Sequence, residues 1–503
     1  MSRKLSLGFA VATAALSLLR LSIGGVAQAG GMLPPCSAGA PAIITVNTLA
    51  DENDGSCGDG DCSLRDAIQA ASPGDTIRFS VSGFIVLDLG SLTVNKNLTI
   101  EGPQTEFLGI SADGSSRVLH VDTGATVTLS HLEISDGVAD QGGGIYNRGK
   151  LTVNNCAIGG SYATASGGGV YNAANGVLAV TASVIRDNAA AVNGGGLANW
   201  GTLTISGSEI RDNGTESGHG GGILNQGTLT ISHSTIAGNY AVASGGGISN
   251  AAGRALTISH SEIRDNGAGV GGGGVHNQGA LSIADSEIRD NTAEAGSGGG
   301  ILNLQTLTVN RSTFAGNVST TYGGGIHVAA AAQATVTNST LHDNTSARGG
   351  GIASTNAAIT VTNATLFRNG ADAQGGGIYS SGTPPRVLLR NTIVAGSPTG
   401  GDCSGALATP STHNLSTDES CSPGFTQATT ATLKLVWEGW LLGLEAGSVA
   451  IDSGSNAFCP ASDQRGVGRP LDGDGDGNAV CDVGAYEFAV YRLCLPLVLR
   501  NAP

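Results

Sequence analysis

A glycine triplet followed by an aliphatic residue recurs ten times, beginning at Gly142, Gly167, Gly194, Gly220, Gly245, Gly272, Gly298, Gly323, Gly349 and Gly375, with successive starts 25 to 27 residues apart. So constant a period marks a solenoid, in which each repeat buries its apolar face only against its neighbours. The copy GGGILNQGTLTISHSTIAGN, Gly220 to Asn239, shows what one repeat contains. Leu229 and Ile231 alternate with Thr and Ser, while Ile223 and Ile236 stand between glycine, asparagine and serine turns. Alternation with a period of two predicts three very short strands per repeat, and the glycine density works against helix.

Aligned copies form columns. The aliphatic after each triplet reads Ile145, Val170, Leu197, Ile223, Ile248, Val275, Ile301, Ile326, Ile352 and Ile378. Asparagine forms two more, Asn147 to Asn303 and Asn188 to Asn369, read here as turn ladders. Stacking at about 4.8 Å per coil turns such columns into a dry interior with parallel pairing. The predicted fold is therefore all-β, a right-handed parallel β-helix of the pectin-lyase-like class with about 26 residues per coil.

The remaining sequence divides around this solenoid. Residues 1–29 read as a signal peptide, with Arg3 and Lys4 before an apolar run and Ala27-Gln28-Ala29 as a cleavage site; an uncleaved anchor is the alternative. Residues 30–80 form an N-terminal segment and cap, 81–395 the β-helix, 396–488 a C-terminal region and 489–503 an apolar tail. No later run reaches the roughly 18 apolar residues of a spanning helix, so no transmembrane helix is expected in the mature chain. With a net charge of −15 and 24 Lys and Arg among 503 residues, the chain lacks the basic stripe a nucleic-acid partner needs. Nine cysteines suit export, to a secreted or cell-surface location. By proximity the disulfide candidates are Cys57 with Cys62, Cys403 with Cys421 and Cys459 with Cys481, although spacing alone leaves connectivity open.

Three stretches resemble known families. Cys62-Ser-Leu-Arg-Asp-Ala67 resembles the N-terminal domain named for its CSLREA motif, with Asp66 in place of the usual Glu. The GGGIxN and SxIxxN phrases are similar to the β-helix repeats of bacterial polymorphic outer-membrane proteins, which more often show GGAI. Ser448 to Phe488, with His413-Asn414-Leu415 upstream, resembles the choice-of-anchor Q region of secreted bacterial surface proteins, except that LKLVWEGWLLGLEAG replaces an Asn-Gly-Gly segment. These resemblances imply a surface or secreted β-helix and imply no catalytic residues.

Candidate chemistry is sparse. Asp472, Asp474 and Asp476 alternate with glycine as at the start of a calcium loop, which makes them a candidate Ca2+ site; Val483 stands where a full loop would place Glu, and a solvated acidic turn is the alternative. Asp51, Asp54, Asp59 and Asp61 form a weaker acidic group. One turn column departs from the repeat: Gly207, His233, His260, Asp285 and Arg311, where two histidines and a carboxylate in adjacent coils suit a metal or a proton relay, or are simply exposed turn residues. The motifs GxSxG, HExxH and GxxxxGK[ST] are absent. Aromatic residues make up only 4%, although Tyr146, Tyr171 and Tyr379 share one outward position, and coils of near-constant length leave little room for a cleft. The expected function is a non-catalytic secreted or cell-surface protein, an adhesin or rigid display spacer whose partner is a glycan or a cell-surface protein. Alternatives are a polysaccharide lyase or glycoside hydrolase on the same fold, and an envelope or matrix protein without a specific ligand.

Overall fold

The computed structural model describes residues 41–489, apart from 59, 330, 423 and 440. The signal segment 1–29, Cys36, Asp59, Cys494 and all but the first residue of the 489–503 tail lie outside the described residues. The chain winds as a right-handed parallel β-helix whose coils contribute to four sheets of 14, 13, 15 and 10 strands. In the coil opened by Gly220, Ile223–Asn225 joins the 13-stranded sheet, Thr228–Ser232 the 14-stranded and Thr235–Ala237 the 15-stranded. The columns are in register: Ile223 pairs with Ile248, Leu229 with Leu256 and Ile236 with Ile263. Every one of these six side chains is buried.

A fourth strand was not anticipated. Tyr240–Ala241 and its equivalents build the 10-stranded sheet, often from only two residues. Its inward column is Ala190, Thr215, Ala241, Ala268, Ala293 and Ser319. Small residues there leave no aliphatic signature in the sequence, yet they let this wall approach the others closely. The triplet serves the same closeness. Gly220 takes φ +70°, and a Cβ on Gly221 would press on the Tyr240 carbonyl and lie 2.6 Å from the Gly246 carbonyl, leaving no room for a side chain.

Both asparagine ladders form. Each inner Asn amide donates to the next, as from Asn199 to Asn225 and from Asn225 to Asn250, both at 2.8 Å. The outer ladder links each residue twice: Asn239 donates from its backbone N and from Nδ2 to Asn266 Oδ1, both at 3.0 Å. A third ladder runs through serine, with Ser208 N donating to Ser234 Oγ, Ser234 N to Ser261 Oγ and Ser261 N to Ser286 Oγ. These buried polar groups are satisfied from coil to coil, so they fix the turns rather than destabilise the interior.

The sheets pass both bounds expected for the solenoid. Ile43–Val46 and Thr76–Phe79, before residue 81, are the first two strands of the 14-stranded sheet. Asn414–Ser416 and Phe425–Gln427, after residue 395, are the last two of the 15-stranded sheet. Between the first two strands lies the helix Leu64–Ala70, capped by Ser63, whose side chain accepts from Asp66 N; Leu64, Ala67 and Ile68 join the main core. Arg65 of this helix grips Asp51 through two 2.8 Å bonds. Asp51, of the weaker acidic group, is thus committed to an ion pair. Among the described residues no helix is long and apolar enough to cross a membrane.

Candidate functional site

The outward face of the 15-stranded sheet changes character along its length. In the middle coils it carries Glu209, Glu262 and Glu287 beside Arg211, Arg264 and Arg289. From the next coil the same two columns read Thr313, Thr340, Thr365 and Ile393, beside Ala315, His342, Phe367 and Ala395. The less polar stretch is where the C-terminal region folds back onto the sheet. Ile393, Ala395, Leu415, Leu433, Leu444, Val483 and Tyr486 form a second, smaller core. Ala485 N donates to Thr365 Oγ1, and Gln464 accepts from Thr340 Oγ1 and donates to Thr313 Oγ1.

Segment 430–447 forms Thr430–Leu433, a short helix, and a hairpin of Leu435–Glu438 with Leu441–Leu444. Cys403–Cys421 and Cys459–Cys481 are disulfide-bonded within the C-terminal region, as Cys57–Cys62 is near the N-terminus. Cys156 is a buried free thiol, pushed up to about 11 by burial. Behind the docking face, the Arg469 guanidinium is fully buried 3.4 Å from Glu487. Burial, and next the neighbouring Glu487, push Asp482 up to about 7.

Where the C-terminal region ends, Leu441 and Gln464 wall a groove of about 720 Å³ over the uncovered sheet. Its floor is Thr235, Glu262, Glu287 and Thr313, and its rim is His233, His260, Asp285 and Arg311. A cleft therefore exists despite the constant coil length, because its wall is a distant segment of chain rather than a loop inserted in a coil. The coils themselves leave little room for one, as their constant length implies.

The rim residues occupy one turn position with φ between +47° and +50°. Each immediately precedes a residue of the serine ladder; Ser234 Oγ, for example, donates to Ser232 O across His233 at 2.7 Å. The His233 and His260 rings are stacked at 4.9 Å and 6°. Each ring therefore covers one face of the other. Arg311 binds Asp285 side-on, Nε to Oδ1 and Nη2 to Oδ2, both at 2.7 Å. His260 Nε2 is 4.0 Å from Asp285 Oδ2. Asp285 is committed to Arg311, and the two histidines with Asp285 do not form a metal-ligand cluster.

On the floor, Arg289 donates to Glu262 through Nε at 2.8 Å and also through Nη2. Burial raises the Glu287 carboxyl above its usual range, opposed in part by Arg289. The two glutamates are register partners in adjacent coils. Glu262 is bonded to Arg289, while Glu287 stands 3.6 Å from the same guanidinium. The Arg-Asp corners are surface pairs, as from Arg211 to Asp212 at 2.6 Å and from Arg264 to Asp265 at 2.8 Å.

Of the three loop aspartates, Asp472 and Asp474 come together with Asp452, which the sequence reading missed; their ligand oxygens lie within 4.8 Å of one another. Asp452 sits in the Ala-Ile-Asp stretch 20 residues upstream and reaches the loop by accepting from Gly473 N and Asp474 N. Asp476 is outside the cluster and accepts from Asn478 N at 2.7 Å. The aromatic column is also structural. Tyr146 and Tyr171 stack at 5.1 Å and 1°, and Tyr171 stacks on Trp200 at 4.7 Å. Rings stacked along the axis offer edges to solvent, not the faces on which a sugar would lie.

A family model described as a right handed beta helix region matches residues 222–394. Among solved structures, pectate lyase Pel9A is similar over 89% of this chain and 96% of its own, at 16% identity and a TM-score of 0.33. Bacteriophage CBA120 tailspike protein 3 is similar over 69% of this chain and 59% of its own, at 14% identity and 0.38. The PL6 family alginate lyase AlyGC is similar over 85% and 60%, at 14% identity and 0.42. This chain thus spans less than two thirds of the length of the last two. No curated protein matches the sequence. The chain is a parallel β-helix protein, and these likenesses are of backbone architecture alone.

Proposed function

We propose that this chain is an exported, secreted or surface-held β-helix that binds a glycan without cleaving it, in the groove between the 15-stranded sheet and the C-terminal region. The observation that carries this reading is the 720 Å³ groove itself, lined by carboxylates, hydroxyls and imidazoles. Such a set matches the hydroxyl-rich surface of a sugar chain, and a rigid floor limits the entropy lost on binding. Export is supported by the N-terminal pattern of residues 1–29 and by three disulfides. The test is a glycan array probed with the full chain and with Thr235→Trp, which fills the groove floor. Array binding that survives the substitution would sink this reading.

A second reading, glycoside hydrolysis, is favoured by one observation, two glutamates paired in adjacent coils, Glu262 bonded to Arg289 and Glu287 with its carboxyl raised by burial. Depolymerisation of a bound glycan that disappears in Glu287→Gln would replace the non-catalytic reading with this one. We further propose that Asp452, Asp472 and Asp474 hold Ca2+, with backbone and water oxygens completing the shell. Calcium at about 100 times its Kd then adds about 2.7 kcal/mol. The matching rise in Tm is lost in Asp452→Asn; a Tm indifferent to calcium and chelator rejects the site.

A further inference from the structure

Building on the glycan-binding reading, we infer that the groove takes glycans whose contacting sugars carry no acidic group, neutral or amino sugars, and excludes uronates and sulfated sugars. The inference follows from where the charges already point. Three carboxylates, Glu262, Asp285 and Glu287, line the groove against one guanidinium, Arg311. Arg311 has spent its side-on edge and its charge on Asp285 through two 2.7 Å bonds. That edge is the fork with which arginine grips a ligand carboxylate. The next cation behind the floor, Arg289, is likewise engaged by Glu262 and Asp290. An anionic sugar would therefore find no uncommitted guanidinium among the described lining residues, since Asp285 holds Arg311 and Glu262 holds Arg289. A hydroxyl or an ammonium finds acceptors instead, and the net charge of −15 acts in the same direction at longer range.

The turn column supplies a folding-safe test. Gly207 occupies the position of Asp285 two coils before His260, at φ +56°, so glycine is accommodated at this turn. The full chain is titrated calorimetrically with chitosan oligosaccharide, cello-oligosaccharide and oligogalacturonate, as wild type, Asp285→Gly and Arg311→Gly. Wild type binds at least one of the first two, and oligogalacturonate about a hundredfold more weakly. Asp285→Gly frees the Arg311 fork and strengthens oligogalacturonate binding about tenfold or more. Arg311→Gly strengthens chitosan binding and leaves oligogalacturonate excluded. Wild-type binding of oligogalacturonate equal to or tighter than that of the other two overturns the charge selection while sparing the glycan-binding reading. Failure of all three probes to bind rejects both. A change in Asp285→Gly that affects every glycan equally also overturns the selection, because it reports groove shape rather than charge.

Discussion

One turn position, occupied once per coil, shows how far a single residue's role depends on its surroundings. Gly207, His233, His260, Asp285, Arg311, Asn338, Asn363 and Asn391 all have positive φ at the same corner. In the open coils His233, His260, Asp285 and Arg311 of this column line the groove. Under the C-terminal region it becomes asparagine, and there it makes the dock: Asn363 Nδ2 donates to Asp482 O at 2.9 Å, and Asn391 Oδ1 accepts from Ser455 N at 2.8 Å. The backbone conformation belongs to the coil, so positive φ here is no sign of function. A second column, on the 13-stranded sheet, places His276 and His327 where other coils carry Leu224, Ser249 and Leu302. Burial lowers both imidazoles to about 4 from an ordinary value near 6.5. A folded-state value depressed in this way means that the neutral ring favours folding, so stability present above about pH 6.5 is lost as pH falls toward 4. The double variant His276→Leu, His327→Leu should flatten that limb of a Tm-against-pH profile, and an unchanged limb would place the titration elsewhere.

At the scale of the coil, glycine and small residues bring the walls together and the polar ladders hold them there. Middle-triplet Gly221→Ala should cost about 1–3 kcal/mol, because its Cβ meets only rigid carbonyls. Gly207→Asn should cost nearly nothing, since Asn338 and Asn363 already occupy that turn at the same φ. Urea midpoints of the two variants decide this, and equal midpoints would show that the triplet is not close-packed. The strand columns and both asparagine ladders were legible because each is a repeated residue type at a fixed phase. The fourth strand was not, because alanine and threonine two at a time resemble any turn. The serine ladder through Ser208, Ser234 and Ser261 stood in the sequence in the same way but carries no apolar contrast to draw notice.

At the scale of the whole molecule, the C-terminal region turns a uniform solenoid into one with a bounded groove. Leu433 is fully buried in the second core. Leu433→Asp should undock the region at a cost of about 3 kcal/mol. The expected readout is proteolysis confined to residues 430–488, loss of glycan binding and unchanged β-helix circular dichroism. Retained binding with the region cleaved away would show that Leu441 and Gln464 are not needed as a wall. The sequence by itself determined the parallel β-helix, its register and its inward columns, because neighbouring coils meet the same position of the same phrase and every such contact is a repeat contact. It marked His233, His260 and Asp285 as the place where the phrase fails, yet not what they face. Only the tertiary structure decided that Asp452 joins Asp472 and Asp474, and that a groove exists at all. Those contacts join parts of the chain with no common period, as between Gln464 and Thr313 or between Asn363 and Asp482. Periodicity encodes what lies one coil away, and it is silent about a segment that folds back across several.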